Sequence, residues 1–390
     1  MFTFTSLPPL SLYIHIPWCV RKCPYCDFNS HEAKGPVPES AYIDALIADL
    51  EQDLPLVWDR PVASIFIGGG TPSLFAPEHI DRLLCAIRAR LPLNPGLEIT
   101  LEANPGTVEQ GRFQELRETG INRLSIGIQS FNPELLDKIG RIHGQREAIS
   151  AAEAATNAGF DNFNLDLMFG LPGQTIDQAI ADIEQAIALS PVHISHYQLT
   201  LEPNTLFHRQ PPALPAEDDI CEMQLRCQQI LAGQGYEHYE VSAFALSGYR
   251  CRHNLNYWQF GDYLGIGAGA HAKITDAQQQ SITRTWKIKH PTAYLEKAGT
   301  RERIGGTNRL TQYEAGLEFM MNALRLTGGF AVARFFGHTG LPITIIEQPL
   351  RQAEQKGFIE RDFKTIRPTE LGQRFLNELL TLFVTNENAA

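Results

Sequence analysis

The chain has 390 residues, 43% of them hydrophobic and 20% charged, a globular profile with length for one large domain and a smaller one. No run approaches about 18 uninterrupted apolar residues, which excludes a membrane-spanning helix, and a net charge of −11 argues against nucleic-acid binding, which rests on Lys and Arg neutralising phosphates. Seven cysteines, in a chain whose N-terminus MFTFTSLPPLSLYIHIP has no basic stretch and no small-residue cleavage site, point to metal binding in a cytoplasmic protein more than to a disulfide framework.

In chain order, the first strand-like run is LYIHIP (12–17), followed at once by a cysteine-rich loop. ESAYIDALIADLEQDL (39–54) has helical periodicity, with Ile43, Leu46, Ile47 and Leu50 on one face. Strand-like ASIFIGGG (63–70), EITLEANP (98–105), RLSIGIQS (123–130), NFNLDLMFG (162–170) and HISHYQLT (193–200) then alternate with helical segments at 77–91, 108–120, 146–159 and 175–190. Six strands alternating with helices predict a parallel α/β sheet with right-handed crossovers, either open and doubly wound or a barrel. Polar and Gly residues gather at the C-terminal strand ends, where such folds place their chemistry. The pattern breaks after residue 201: a Pro-rich loop, a helix at 217–234, and an irregular region containing CRHNLNYWQFGDYLGIGAGAHA. From about 308 a small, mostly helical module of winged-helix type is expected, with a helix around 344–356 and a hairpin in GFIERDFKTIRPT. The domain boundaries are thus 1–205, 206–305 and 306–390.

Cys19, Cys23 and Cys26 form a C-x3-C-x2-C trio in HIPWCVRKCPYCDFNSH. Thiolates so crowded suit zinc or iron–sulfur. Zinc wants four ligands, with His31 as the candidate fourth; a 4Fe–4S cluster fits three thiolates and leaves one iron open. With the aromatic Tyr25 just before the last Cys, directly after the first strand, this motif resembles the radical S-adenosylmethionine superfamily. The resemblance implies a partial (β/α)6 TIM-type barrel whose open iron is chelated by the amino and carboxylate groups of S-adenosylmethionine.

Strand two ends in Gly68, Gly69, Gly70, Thr71 and Pro72. Such a glycine run brings backbone close to a ligand and offers N–H groups. Glu102 closes strand three, Gln129 strand four, and Asp166 lies in strand five, where an unpaired acid is costly unless it faces a polar cavity. Together these motifs resemble the oxygen-independent coproporphyrinogen-oxidase-like proteins over nearly the whole chain, including RPTELGQRFLN near its end. By that resemblance Tyr13, Gly69, Gly70, Thr71, Glu102, Gln129, Arg141 and Asp166 contact S-adenosylmethionine, and Tyr25 is an aromatic contact beside the cluster. Two departures weaken the oxidase reading: Phe28 stands where the decarboxylating oxidases carry a further Cys, and their N-terminal extension is missing before the first strand.

HNLNYW (253–258) resembles the HN-x2-YW motif of the haem-chaperone branch of this family. It implies haem binding by His253, Asn254, Tyr257 and Trp258: an imidazole for iron and flat, polar-tipped rings for a porphyrin. Cys251 is an alternative iron ligand, its plainer state being a free core thiol. The expectation is a cytoplasmic chaperone that takes haem from a donor and passes it to haem proteins, with peripheral membrane contact and a homodimer as further expectations. The alternative is oxidative decarboxylation of coproporphyrinogen III.

Overall fold

The computed structural model describes residues 1–106 and 111–384. Strand β1 (Leu10–Ile16) is buried almost throughout, the signature of a parallel strand covered on both faces. Beside it, in chain order and each parallel to the next, lie β2 (Val62–Gly69), β3 (Leu93–Ala103), β4 (Arg123–Gln129), β5 (Phe163–Phe169) and β6 (His193–Gln198). All six expected strands form, within a few residues of the expected bounds. Their Leu, Ile and Phe side chains fill one core: Leu12, Ile14, Ile67, Leu101, Ile126 and Leu165 have no exposed surface. Each such side chain contributes about 1.5–3 kcal/mol on burial.

The crossovers are α1 (Glu39–Asp53), α2 (Pro77–Arg88), α3 (Phe113–Glu118), α4 (Pro133–Lys138) with α5 (Gln145–Asn157), and α6 (Ile176–Ala188). Of the helix expected over 108–120, residues 108–110 lie outside the described residues. Local chemistry sets these starts. Thr175 Oγ1 accepts from Gln178 N–H while Gln178 Oε1 accepts from Thr175 N–H, a reciprocal cap at the head of α6.

The 206–305 segment, expected as an irregular extension after its helix, completes the same sheet. Helix α7 (Glu217–Gly233) leads to the hairpin β7 (Glu237–Glu240) and β8 (Ala243–Ala245), which pairs antiparallel with β6. HNLNYW is helix α8 (Arg252–Trp258), and β9 (Asp262–Ile266) is a seventh parallel strand on the other side of β1. Strands β10 (His271–Asp276), β11 (Ser281–Lys287) and β12 (Ile304–Arg309) continue antiparallel, giving one twelve-stranded sheet among the described residues. Buried ion pairs lock this half down. Lys287 Nζ lies 2.7 Å from Asp49 Oδ1 and 2.5 Å from Asp53 Oδ2, Arg303 joins the same two acids, and Asp262 meets Lys273 and Arg60 at 2.8 Å each.

The C-terminal part is mostly helical, as expected: α9 (Gln312–Ala323), the short strand β13 (Phe330–Ala331), α10 (Val332–Thr339), α11 (Glu347–Gln355) and the hairpin β14 (Ile359–Arg361) with β15 (Thr365–Pro368). Phe319, Phe335, Leu350 and Ile366 form its core together with Phe4, Phe260 and Ile282 from the sheet-bearing part.

Candidate functional site

The three cysteines sit on the loop that leaves the C-terminal end of β1. That loop closes on itself because Trp18 and Cys19 pair with His31 and Glu32. All three thiols are free and half-buried. Cys26 N–H donates to Cys23 C=O at 3.1 Å, Cys26 Sγ lies 3.4 Å from Ser30 Oγ, and Arg141 Nη1 reaches Cys23 Sγ at 3.6 Å. Burial pushes the Cys19 thiol up to about 11, and charge on Cys26 or Cys23 adds to the shift. Three thiolates here repel one another unless a cationic centre holds them, the condition a metal cluster meets. Among the described residues no His, Cys, Asp and Glu side chains converge as on a single metal ion. His31 Nε2 is bonded to Asn29 Oδ1 at 3.2 Å. The donor set therefore fits a cluster better than a zinc tetrahedron.

The cysteines share one cavity with Tyr25, Gly69, Gly70, Thr71, Glu102, Gln129, Arg141 and Asp166. Eight residues named from six separate stretches thus converge toward the C-terminal side of β1 to β5. The glycines are required by space. A Cβ on Gly70 would lie 2.4 Å from the Trp18 carbonyl oxygen, and one on Gly68 2.9 Å from the Glu102 carboxyl carbon. Gly69, at φ +114°, donates its N–H to Glu102 Oε2 at 3.0 Å. Gln129 sits at φ +70°, a left-handed conformation that costs a non-Gly residue about 1–2 kcal/mol. Its Oε1 accepts from Tyr197 Oη at 2.7 Å.

Burial raises the Glu102 carboxyl to about 7, with the Gly69 N–H opposing and the Asp166 charge adding to the rise. Burial also raises Asp166, against hydrogen bonds from Asn164 Nδ2 at 2.8 Å and Ser125 Oγ at 3.0 Å. Arg141 is aimed into the cavity by Asn104 Oδ1 at 2.8 Å and Gly127 C=O at 2.5 Å, and Asn104 Nδ2 donates to Thr71 Oγ1 at 2.7 Å. Asn104, Ser125 and Tyr197 were not anticipated. Asn104 lies in the same EANP stretch as Glu102, two residues on, which is the signal that could have found it.

Tyr13 lies elsewhere. It lines a second cavity of about 350 Å³ that shares Gly69, Glu102 and Phe28 with the first. The HNLNYW helix forms part of this wall. Tyr257 borders the second cavity and, with Trp258, a third. Trp258 is covered by the Arg325 guanidinium, 4.2 Å from its ring, and Asn254 is half-buried on the first turn.

His253, expected from the resemblance as a haem ligand, lies in the core. It is fully buried and lines neither cavity. Its Nδ1 is 3.0 Å from Ser64 Oγ and its Nε2 3.0 Å from Tyr257 Oη. Burial lowers it to about 3, keeping it neutral. Cys251 is a buried free thiol, 3.7 Å from Glu98 Oε1 and pushed up to about 12 by burial.

A parallel sheet with a Cys-bearing loop after its first strand and a glycine-rich turn after its second is the architecture of a radical S-adenosylmethionine protein. The profile of the Radical SAM superfamily matches residues 13–186, and that of the HemN C-terminal domain matches residues 310–375. Among curated relatives, "Heme chaperone HemW" of Escherichia coli (strain K12) is 48% identical over 97% of this chain and 99% of its own length. The protein of that name from Haemophilus influenzae is 49% identical over 98% and 100%. The chain belongs to the HemW family of the Radical SAM superfamily. Among solved structures, the coproporphyrinogen III oxidase (HemN) from Escherichia coli matches with a TM-score of 0.82 over 97% of this chain and 91% of that one, at 23% identity, a likeness of fold. Among the described residues no helix is long and apolar enough to cross a membrane.

Proposed function

We propose that this protein is a haem-binding chaperone that holds a 4Fe–4S cluster and S-adenosylmethionine and delivers haem to haem-dependent proteins. The observation that carries the reading is the pairing of two cavities through Gly69 and Glu102: one bears the three thiols, the other an aromatic wall of Tyr13, Tyr257 and Tyr263 with Lys289. A flat apolar ligand with acidic arms needs that combination of ring faces and cation. The relatives named as haem chaperones support it, as does Phe28, which is more than half exposed at the border of both cavities where the decarboxylating oxidases carry a cysteine.

Cys19, Cys23 and Cys26 would hold the cluster, which when bound offers an open iron to the amino and carboxylate groups of S-adenosylmethionine. The chain's own groups do the rest. Gly69 to Thr71 bring main chain against the ligand, Glu102 and Asp166 accept from hydroxyl and ammonium donors, and Arg141 places a positive charge beside Cys23.

The test is a haemin titration of anaerobically reconstituted protein, followed in the Soret band, then mixing with an apo-haem protein. Stoichiometric binding with onward transfer, and no decarboxylation of coproporphyrinogen III in a parallel assay, is expected. Unsaturable haemin binding would refute the chaperone reading, and turnover of coproporphyrinogen III would replace it with the oxidase.

A further inference from the structure

We infer that His271 is the residue that ligates the iron of a haem bound in the second cavity, with Lys289 beside it taking a carboxylate arm. This rests on the haem-binding reading above and assigns that reading a site distinct from His253. Three histidines stand at or beside this cavity, and they differ in one respect. His15 has both ring nitrogens engaged, Nδ1 with Tyr13 Oη at 2.9 Å and Nε2 with the Asn29 carbonyl at 3.0 Å. His253 is likewise engaged at both nitrogens and fully buried. His271 lines the cavity, is exposed, and has no hydrogen bond at either ring nitrogen among the described residues. An imidazole can give a lone pair to iron only from a nitrogen not already spoken for.

The backbone around His271 is rigid although its ring is free. It is the first residue of β10, just after a turn in which Gly267 and Gly269 have φ of +107° and +77°. A Cβ on Gly265 would lie 1.9 Å from the His271 carbonyl oxygen, and one on Gly269 2.4 Å from Asn29 Nδ2. The strand start is thus clamped against the cluster loop. The ring itself stacks on Trp286, centroids 6.1 Å apart and planes 24° apart, which fixes its tilt without using a nitrogen. Partial burial, then the positive charges of Lys289 and Arg284, lower its proton affinity, which favours the neutral form that can ligate iron. The cavity, at about 350 Å³, falls within the range of about 300–1,000 Å³ of pockets that bury most of a small-molecule ligand.

The test compares reconstituted wild type with His271→Ala and Lys289→Ala, titrated with haemin and read by Soret position, ferric-haem electron paramagnetic resonance and affinity. Circular dichroism and the iron–sulfur absorbance check the fold, which an exposed, unbonded ring should not disturb. For His271→Ala we expect at least about a tenfold loss of affinity, a shifted Soret band and loss of the histidine-ligated signal, with free imidazole restoring the band. Lys289→Ala should weaken binding with no change of spectrum. If wild type binds haemin and His271→Ala binds it equally with the same spectrum, the assignment is overturned while the chaperone reading stands. If wild type binds none, both fall.

Discussion

Replacing Glu102 by Gln should weaken cofactor binding and strengthen the fold at the same time. The carboxyl is raised to about 7 from an ordinary 4.5, chiefly by burial. Because its folded pKa is raised, the folded chain holds a proton there that the unfolded chain has released. Stability is therefore lost as pH climbs from 4.5 towards 7 and stays lost above it. Gln removes that penalty. With the shift discounted for partial exposure, the variant should be more stable by about 2 kcal/mol at pH 8 and by little at pH 5.

Binding moves the other way. If the carboxylate accepts a hydroxyl of S-adenosylmethionine, its ionised fraction runs from about a tenth at pH 6 to about nine tenths at pH 8, so wild-type affinity should rise about tenfold across that interval. Loss of a charged hydrogen bond costs about 2 kcal/mol, so Glu102→Gln should bind about 30-fold more weakly at pH 8 with a flat pH profile. Calorimetric titration of reconstituted protein with S-adenosylmethionine at pH 6, 7 and 8, with urea unfolding at the same values, reads both effects. A flat wild-type binding profile, or a variant less stable than wild type at pH 8, would refute the reasoning.

Three further outcomes follow from the same geometry. Single changes of Cys19, Cys23 or Cys26 to Ala should abolish the iron–sulfur absorbance after reconstitution, whereas Cys85→Ala and Cys221→Ala, at exposed thiols, should leave it intact. Asp49→Asn removes a buried acid shared by Lys287, Arg303 and Tyr294; leaving the two buried cations with Asp53 alone should cost about 3–5 kcal/mol in urea unfolding. In Gly70→Ala the new methyl meets the Trp18 carbonyl oxygen, main chain that cannot swing aside, so S-adenosylmethionine affinity should fall at least about tenfold by calorimetry while urea stability falls by only about 1–3 kcal/mol.

The parallel strands were legible because each is a continuous apolar run closed by a turn former, and burial on both faces demands that composition. The cavity residues named from the strand ends converge for a related reason: in a parallel sheet every strand delivers its last residue to the same edge. Helix α8 was not legible. Asn, Tyr and Trp are middling helix formers, and seven residues are too few for a stable isolated helix. Its first N–H groups are capped from outside, by Glu98 Oε1 accepting from Arg252 and His253 at 2.9 and 3.2 Å. That partner lies about 155 residues away in sequence, beyond the reach of any local pattern. Strand β9, five residues long with a glycine inside, was hidden by the same brevity.

Asn29 joins the two cavities mechanically. It lies three residues past Cys26, and its Nδ2 donates to the carbonyls of Ala268 and Lys289, both at 2.9 Å, while its own carbonyl meets His15 Nε2. The loop that presents the thiols is thus also the buckle fastening the turn before His271. A loop that came undone would therefore disturb the near side of the second cavity together with the thiols.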